Sequence, residues 1–194
     1  MRIYTLKESL LKDMPCHRYL DDEIKSAIWD YVVGYTTSVN NELRKGRVRI
    51  ASVVTNTLDL AFTDKMPNLD VYRTVDWDFM KNIFGITPDN IDDYIGDIIV
   101  DKGYMSTASV MKSPWGSHWM DGELILHIVS NKPVGVIDVN KRLPPEDIDC
   151  EDQSEIILPR STRLKILSYR LLKGRKYANG GTYLIETEFV GIYK

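Results

Sequence analysis

Three groups of polar residues in this chain are of types that could act together on a substrate: Gln153 with Glu155, Ser106 with Thr107, and Arg73. Gln153 and Glu155 stand two apart in the stretch Gln153-Ser154-Glu155-Ile156-Ile157-Leu158-Pro159-Arg160. Residues two apart in a β-strand point to one face, so an amide and a carboxylate would stand side by side. A carboxylate aimed at developing positive charge stabilises it, and an amide offers both a donor and an acceptor. A strand entering a core with its first residues still solvated has the same polarity without any chemistry. Arg73 in Val71-Tyr72-Arg73 and the hydroxyls of Tyr104-Met105-Ser106-Thr107-Ala108-Ser109 are ordinary when taken singly, an ion-pair partner and a strand end.

The elements that must position these groups follow from periodicity. Between Asp21 and Gly46, Ile24, Ile28, Tyr31 and Val32 recur at helical spacing, and Val39 and Leu43 continue after Gly34, which predicts two helices joined at Gly34-Tyr35. Ile50 to Phe62 is a third amphipathic segment, ended by the turn cluster Thr63 to Asn68. Alternation over Leu69 to Val75 predicts a strand with Tyr72 and Arg73 on opposite faces. Short helices are expected over Asp76 to Phe84 and Pro88 to Ile95, the second capped by Thr87. Strands are expected over Glu123 to Val129 and Val134 to Val139, and a closing hairpin over Ser161 to Leu172 and Thr182 to Tyr193.

Helices first and strands afterwards, with no repeat or linker, describe one α+β domain over residues 1–194, helical to about residue 66 and mainly β from residue 69. With 194 residues and 43% hydrophobic content the chain can bury a substantial core. A net charge of −3 provides no basic field for nucleic acid or an anionic membrane. Cys16 and Cys150 lie far apart with no partner at metal-ligand spacing, which argues against a zinc site or a disulfide framework. Met1 to Glu8 lacks a signal-peptide apolar run and no stretch reaches membrane-span length, so a cytoplasmic setting is expected. Neither a glycine-rich dinucleotide fingerprint nor a phosphate loop is present, so any nucleotide must be held by side chains.

In order along the chain, Val71-Tyr72-Arg73, Gly103-Tyr104-Met105-Ser106-Thr107 and Gln153-x-Glu155 with Leu158-Pro159-Arg160 resemble the mono-ADP-ribosyltransferases of the arginine–serine–glutamate class. That group includes the Rho-modifying exoenzymes and the actin-modifying binary toxins. Tyr31 and Val39-Asn40-Asn41-Glu42-Leu43-Arg44 resemble the helix in which the family places a Tyr, an Asn and an Arg around NAD. The similarity spans about residues 21 to 193. It departs from the family at Ala108, where the Ser-Thr-Ser motif has its third hydroxyl.

The resemblance implies N-terminal helices packed on two antiparallel or mixed β-sheets that enclose an NAD cleft, with no metal. It implies Glu155, Gln153, Ser106 and Arg73 as the catalytic group, and Arg73, Arg44, Asn40, Tyr31, Ser106 and Thr107 as NAD-binding residues. Gln153, where other members carry an acidic residue, implies an asparagine- or glutamine-type acceptor on a protein. The acidic loop from Arg142 to Asp152 would recognise that target; it lacks the exposed aromatic residue of Rho-modifying members, so Rho itself is not expected. Lys112, Trp115, His118 and Trp119 could instead stack a nucleotide, which keeps an RNA or DNA acceptor as an alternative. Two other readings are NAD hydrolysis alone and a catalytically silent α+β binding module. An antitoxin or chaperone partner is compatible with the toxin reading.

Overall fold

A computed structural model describes residues 15–47, 54–110, 124–143, 154–172 and 182–193. Helix α1 (Pro15–Asp30) runs through a π-helical turn (Tyr31–Tyr35) into α2 (Thr36–Arg44), so the break expected at Gly34 is a widened turn within continuous helical structure. Residues 54–58 are helical and Asp59–Ala61 form a 3₁₀ turn. Helix α3 (Trp77–Phe84) is capped by Asp76, whose side chain accepts from Phe79 N, and ends at Gly85 in the left-handed conformation. That ending suits glycine, which has no Cβ to clash there.

Nine strands follow the order β1 (Asp64–Met66), β6 (Val134–Asp138), β7 (Glu155–Leu158), β4 (Met105–Ala108), β2 (Leu69–Val75), β5 (Leu124–Ser130), β9 (Thr182–Ile192), β8 (Thr162–Leu172) and β3 (Ile98–Asp101). All pairs are antiparallel except β5 with β9. The class is α+β, as expected. In the middle, β2 and β4 are joined through one residue pair, Tyr72 opposite Ala108. The two halves on either side of this bridge both feed the main core: Val136, Ile156, Leu158 and Met105 from one, Val71, Leu126, Ile166 and Ile185 from the other. The two expected sheets are therefore the two halves of one hydrogen-bonded ladder.

A second core lies on the other face of the smaller half, where Ile28, Tyr31, Val39 and Leu43 of the helices pack with Tyr104, Ile137 and Ile157. It fixes the helical segment against β4 and β7. On the larger half, Tyr72 stacks on His127 at 4.6 Å between centroids, and the two ring nitrogens of His127 face the carboxylates of Glu186 and Asp70. Short helix α4 (Val139–Arg142) follows β6, and Arg142 bonds Asp64 at 3.0 Å.

Local chemistry explains where the structure departs from expectation. Pro88 to Ile95 is not an α-helix: a 3₁₀ turn occupies Ile91–Tyr94, and the Asn90 side chain before it makes no capping bond but turns back to accept from Thr87 N and donate to Gly85 O. Strand β1 lies inside the expected turn cluster, because three residues suffice to pair with β6 at an edge. Strand β3 was not anticipated. Residues 50–53 of the third helical segment lie outside the described residues. Among the described residues no helix is long and apolar enough to cross a membrane.

Asp59 joins the helical layer to the sheet. It accepts the Tyr104 hydroxyl at 2.6 Å and holds Arg160 through contacts of 2.6–3.1 Å. The ion pair is about one-third exposed, whereas Tyr104 is fully buried. Replacing Asp59 by Ala is therefore expected to cost about 1–3 kcal/mol, from loss of the Arg160 pair and of the shorter hydrogen bond of the Tyr104 hydroxyl, which keeps its 3.3 Å bond to Thr55 O. A lower urea midpoint at unchanged slope would register it; an unchanged midpoint would show that this connection carries no stability.

Candidate active site

The polar groups converge where β7, β4 and β2 adjoin, beneath the π-turn. In the β4–β7 register Ala108 faces Glu155 and Ser106 faces Ile157, so Ser106 is the diagonal neighbour of Glu155 on the same face. The Ser106 hydroxyl hydrogen-bonds Glu155. Ser154, just before Glu155, adopts a left-handed backbone (φ 48°), a strained conformation for a residue with a Cβ, while its carbonyl accepts from Ser109 N at 2.9 Å.

Burial raises the Glu155 pKa above the carboxylate range, opposed by the Ser106 hydrogen bond and the Arg73 charge. Arg73 projects from β2 and donates through Nη1 to the Ser106 carbonyl at 3.2 Å. Burial lowers its pKa, an effect that Asp101 offsets and Arg44 reinforces. Its Nε is buried without a hydrogen-bond partner among the described residues. A buried guanidinium with an unsatisfied donor fits a phosphate oxygen.

Arg44 comes from the end of α2 and is held in bidentate fashion by Asp101, at 2.9 Å through Nε and 2.8 Å through Nη2. Asp101 is 1% exposed and also accepts Gly103 N at 2.9 Å. Phe79 of α3 lies under both guanidinium groups, 4.9 Å from Arg44 and 5.5 Å from Arg73. Two cations thus share one buried carboxylate and one aromatic face, an arrangement that draws an anion toward them.

The remaining candidates have inward contacts. Asn40 donates to the Tyr31 hydroxyl at 3.0 Å and accepts from Tyr104 N at 2.8 Å. Tyr31 is fully buried, packs edge-on against Tyr104 and also hydrogen-bonds Ser106. Thr107 donates its hydroxyl to the Ile156 carbonyl. Ala108 packs with Tyr72, Ile125 and Leu184. Gln153, the acidic residues of the 144–152 loop, and Lys112, Trp115, His118 and Trp119 lie outside the described residues.

Sequence reasoning missed Asp101, Phe79, Gly103 and Asp59. Asp101 carried a usable signal, a lone carboxylate ending the apolar run Ile98-Ile99-Val100. Phe79 carried none beyond the apolar stripe of α3. Among the described residues no His, Cys, Asp or Glu cluster could hold a metal.

A carboxyl group whose folded pKa is raised binds more protons in the folded than in the unfolded state between the two values, so stability falls as pH rises through that window. Glu155→Gln is accordingly expected to be more stable than the parent chain at neutral pH. The advantage should vanish below about pH 4, where the carboxyl is protonated in both states. Urea titrations at the two pH values check this, and a less stable variant at neutral pH would contradict the sign.

The ADP-ribosyltransferase exoenzyme family model matches residues 6–190. No curated protein sequence matches the chain. Among solved structures, the ADP-ribosyltransferase toxin Plx2a of Paenibacillus larvae superposes with a TM-score of 0.71 at 19% identity, over 94% of this chain and 90% of that one. The C3 exoenzyme of Clostridium limosum gives 0.68 at 17% identity, covering 87% and 85%. C3stau2 of S. aureus, solved with NAD, gives 0.68 at 18% identity, covering 100% and 99%. These likenesses establish the shared fold, and the family match across nearly the whole sequence establishes the rest: this chain belongs to the ADP-ribosyltransferase exoenzymes, which use NAD as the donor of ADP-ribose.

Proposed function

We propose that the chain is a mono-ADP-ribosyltransferase of the arginine–serine–glutamate class, a toxin or effector that transfers ADP-ribose from NAD to an asparagine- or glutamine-type side chain of a target protein in the cytoplasm where it acts. The observation that carries this reading is the meeting of Glu155, Ser106 and Arg73 at the junction of the two half-sheets, where the carboxyl is bonded to Ser106 and Arg73 retains an unsatisfied donor.

Cleavage of the bond between nicotinamide and ribose leaves positive charge on the sugar. The leaving nicotinamide nitrogen takes the bonding electron pair. Glu155 accepts a hydrogen bond from the ribose 2′-hydroxyl and stabilises the cation, while Ser106 orients it. The diphosphate is met by Arg73, with Arg44 beside it on the same aromatic face. Gln153 holds the acceptor amide by complementary hydrogen bonds; the amide nitrogen forms the new bond to the ribose carbon and releases a proton. The acidic loop up to Asp152 favours a basic protein surface and repels a phosphate backbone, which ranks protein above nucleic acid as the acceptor.

Glu155→Ala is expected to lose roughly a hundred- to a thousandfold in transfer rate, the usual effect of removing a group aimed at transition-state charge. Arg73→Lys should raise the KM for NAD, because an ammonium lacks the bidentate fork. Labelled NAD incubated separately with cell protein and with purified RNA tests the whole reading. Label on protein, mapped to an amide side chain by mass spectrometry, supports it. Label on RNA, nicotinamide release alone, or normal turnover by Glu155→Ala would each overturn it.

A further inference from the structure

We propose that the groove between the end of α3 and the open edge of β3 is a docking site for the acceptor protein, which lays an extended, basic segment there as an added strand. This rests on the transferase reading above and names a surface that holds the partner apart from the reacting groups.

Strand β3 ends the sheet and, among the described residues, pairs with β8 alone. Gly96 N donates to Ile166 O and Asp97 O accepts from Ile166 N, which sets the phase of the ladder. Alternate residues of an antiparallel pair bond to the neighbour, so Ile99 and Asp101 turn their backbone groups to Leu164 and Thr162, and Ile98 and Val100 turn theirs to the open edge. Beside this edge lies a cavity of about 400 Å³ walled by Ile83 and Phe84 of α3, by Tyr94 and by Ile98. Ile95 and Ile98 are 46% and 45% exposed, apolar surface that a covering segment would remove from water. An unpaired edge next to an apolar hollow suits an incoming strand: main-chain bonds hold it and the hollow takes its alternate side chains.

Charge decides the occupant. Among the described residues the one charged side chain lining the cavity is Asp97, and Asp92 and Asp93 stand exposed in the adjoining 3₁₀ turn. Residues 82–101 include five aspartates and no lysine or arginine. Arg163 and Lys165 oppose Val100 and Ile98 across the ladder and do not line the cavity. A second copy of this chain paired edge to edge would set the same aspartates against each other, and a phosphate backbone would be repelled. A segment with lysine or arginine beside an apolar anchor matches both the charge and the hollow.

The groove shares its walls with the candidate active site. Helix α3 carries Phe79 under the two guanidinium groups and, one turn on and ~6 Å along the axis, Ile83 in the groove. Strand β3 ends in Asp101, which binds Arg44, and ~10 Å back along the strand is Ile98. A segment docked on β3 therefore keeps its protein beside bound NAD without taking the place of NAD.

The test compares two rates in the parent chain, I98P and D97K: nicotinamide release from NAD without acceptor, and transfer of label from NAD to cell protein. Proline at Ile98 removes a donor from the open edge and no bond to β8, and lysine at the exposed Asp97 reverses the charge. Each variant is expected to transfer about tenfold more slowly, with release and KM for NAD within about twofold of the parent, and salt should slow the parent more than D97K. D97K, a surface change, keeps the test open if I98P is unstable. Transfer at the parent rate by D97K and by folded I98P would overturn the docking site alone, as would release falling in step with transfer in D97K, or a parent that sediments as a dimer beside a monomeric I98P. A parent that labels RNA, or releases nicotinamide without labelling protein, would overturn the transferase reading itself and the docking site with it.

Discussion

The Glu155 carboxyl is bonded to the Ser106 hydroxyl and lies in the field of the Arg73 guanidinium, in surroundings that raise its pKa because burial opposes its charge. Much of the architecture around it answers that opposition. Strand β7 carries the carboxyl, β4 the hydroxyl and β2 the guanidinium, and the antiparallel β4–β7 register sets the first two diagonally across one face. The left-handed Ser154 turns the chain immediately before the strand that presents the carboxyl. A carboxylate whose charge burial opposes destabilises the folded chain and is available to stabilise a cation when substrate arrives.

The same logic governs the cations. Arg73 and Arg44 would repel each other if left alone in a partly buried space, and burial depresses the Arg73 pKa. Asp101 divides its influence between them, binding Arg44 directly while its charge raises the Arg73 pKa. Phe79 provides a π-face to both. Arg44 is thus committed to Asp101, whereas the Arg73 Nε has no hydrogen-bond partner among the described residues, a donor of the kind that a phosphate oxygen satisfies.

The parts of this arrangement that sequence could reveal were those that depend on residue type and short spacing. Strand β2 was read with its observed bounds, Leu69–Val75, because alternation over seven residues is a local signal. Gln153 and Glu155 drew attention for the same reason. Asp101 and Asp59 were not read, since each matters through residues 57 and 101 positions away in the chain, Arg44 and Arg160. The π-turn was legible only as a break near Gly34, because a one-residue widening of a helix has no compositional mark. Thr107 was grouped with Ser106 although strand alternation turns its hydroxyl to the Ile156 carbonyl. The Asn90 side chain ties back to Thr87 N and Gly85 O, which holds a turn where a helix capped by Thr87 was expected, a local contest that spacing rules do not decide.

The lone pairing of Tyr72 with Ala108 gives the molecule a mechanical property. One half-sheet carries Arg73, and the other carries Ser106 and Glu155. A joint of one backbone pair resists shear far less than a full ladder, so the angle between the halves is set chiefly by how the shared core is filled. A methyl group gained or lost among Val136, Ile156, Val71 or Leu126, none of which carries a polar side chain, would change the splay and with it the span from guanidinium to carboxylate. The packing of an apolar interior thereby becomes the gauge of an ionic site.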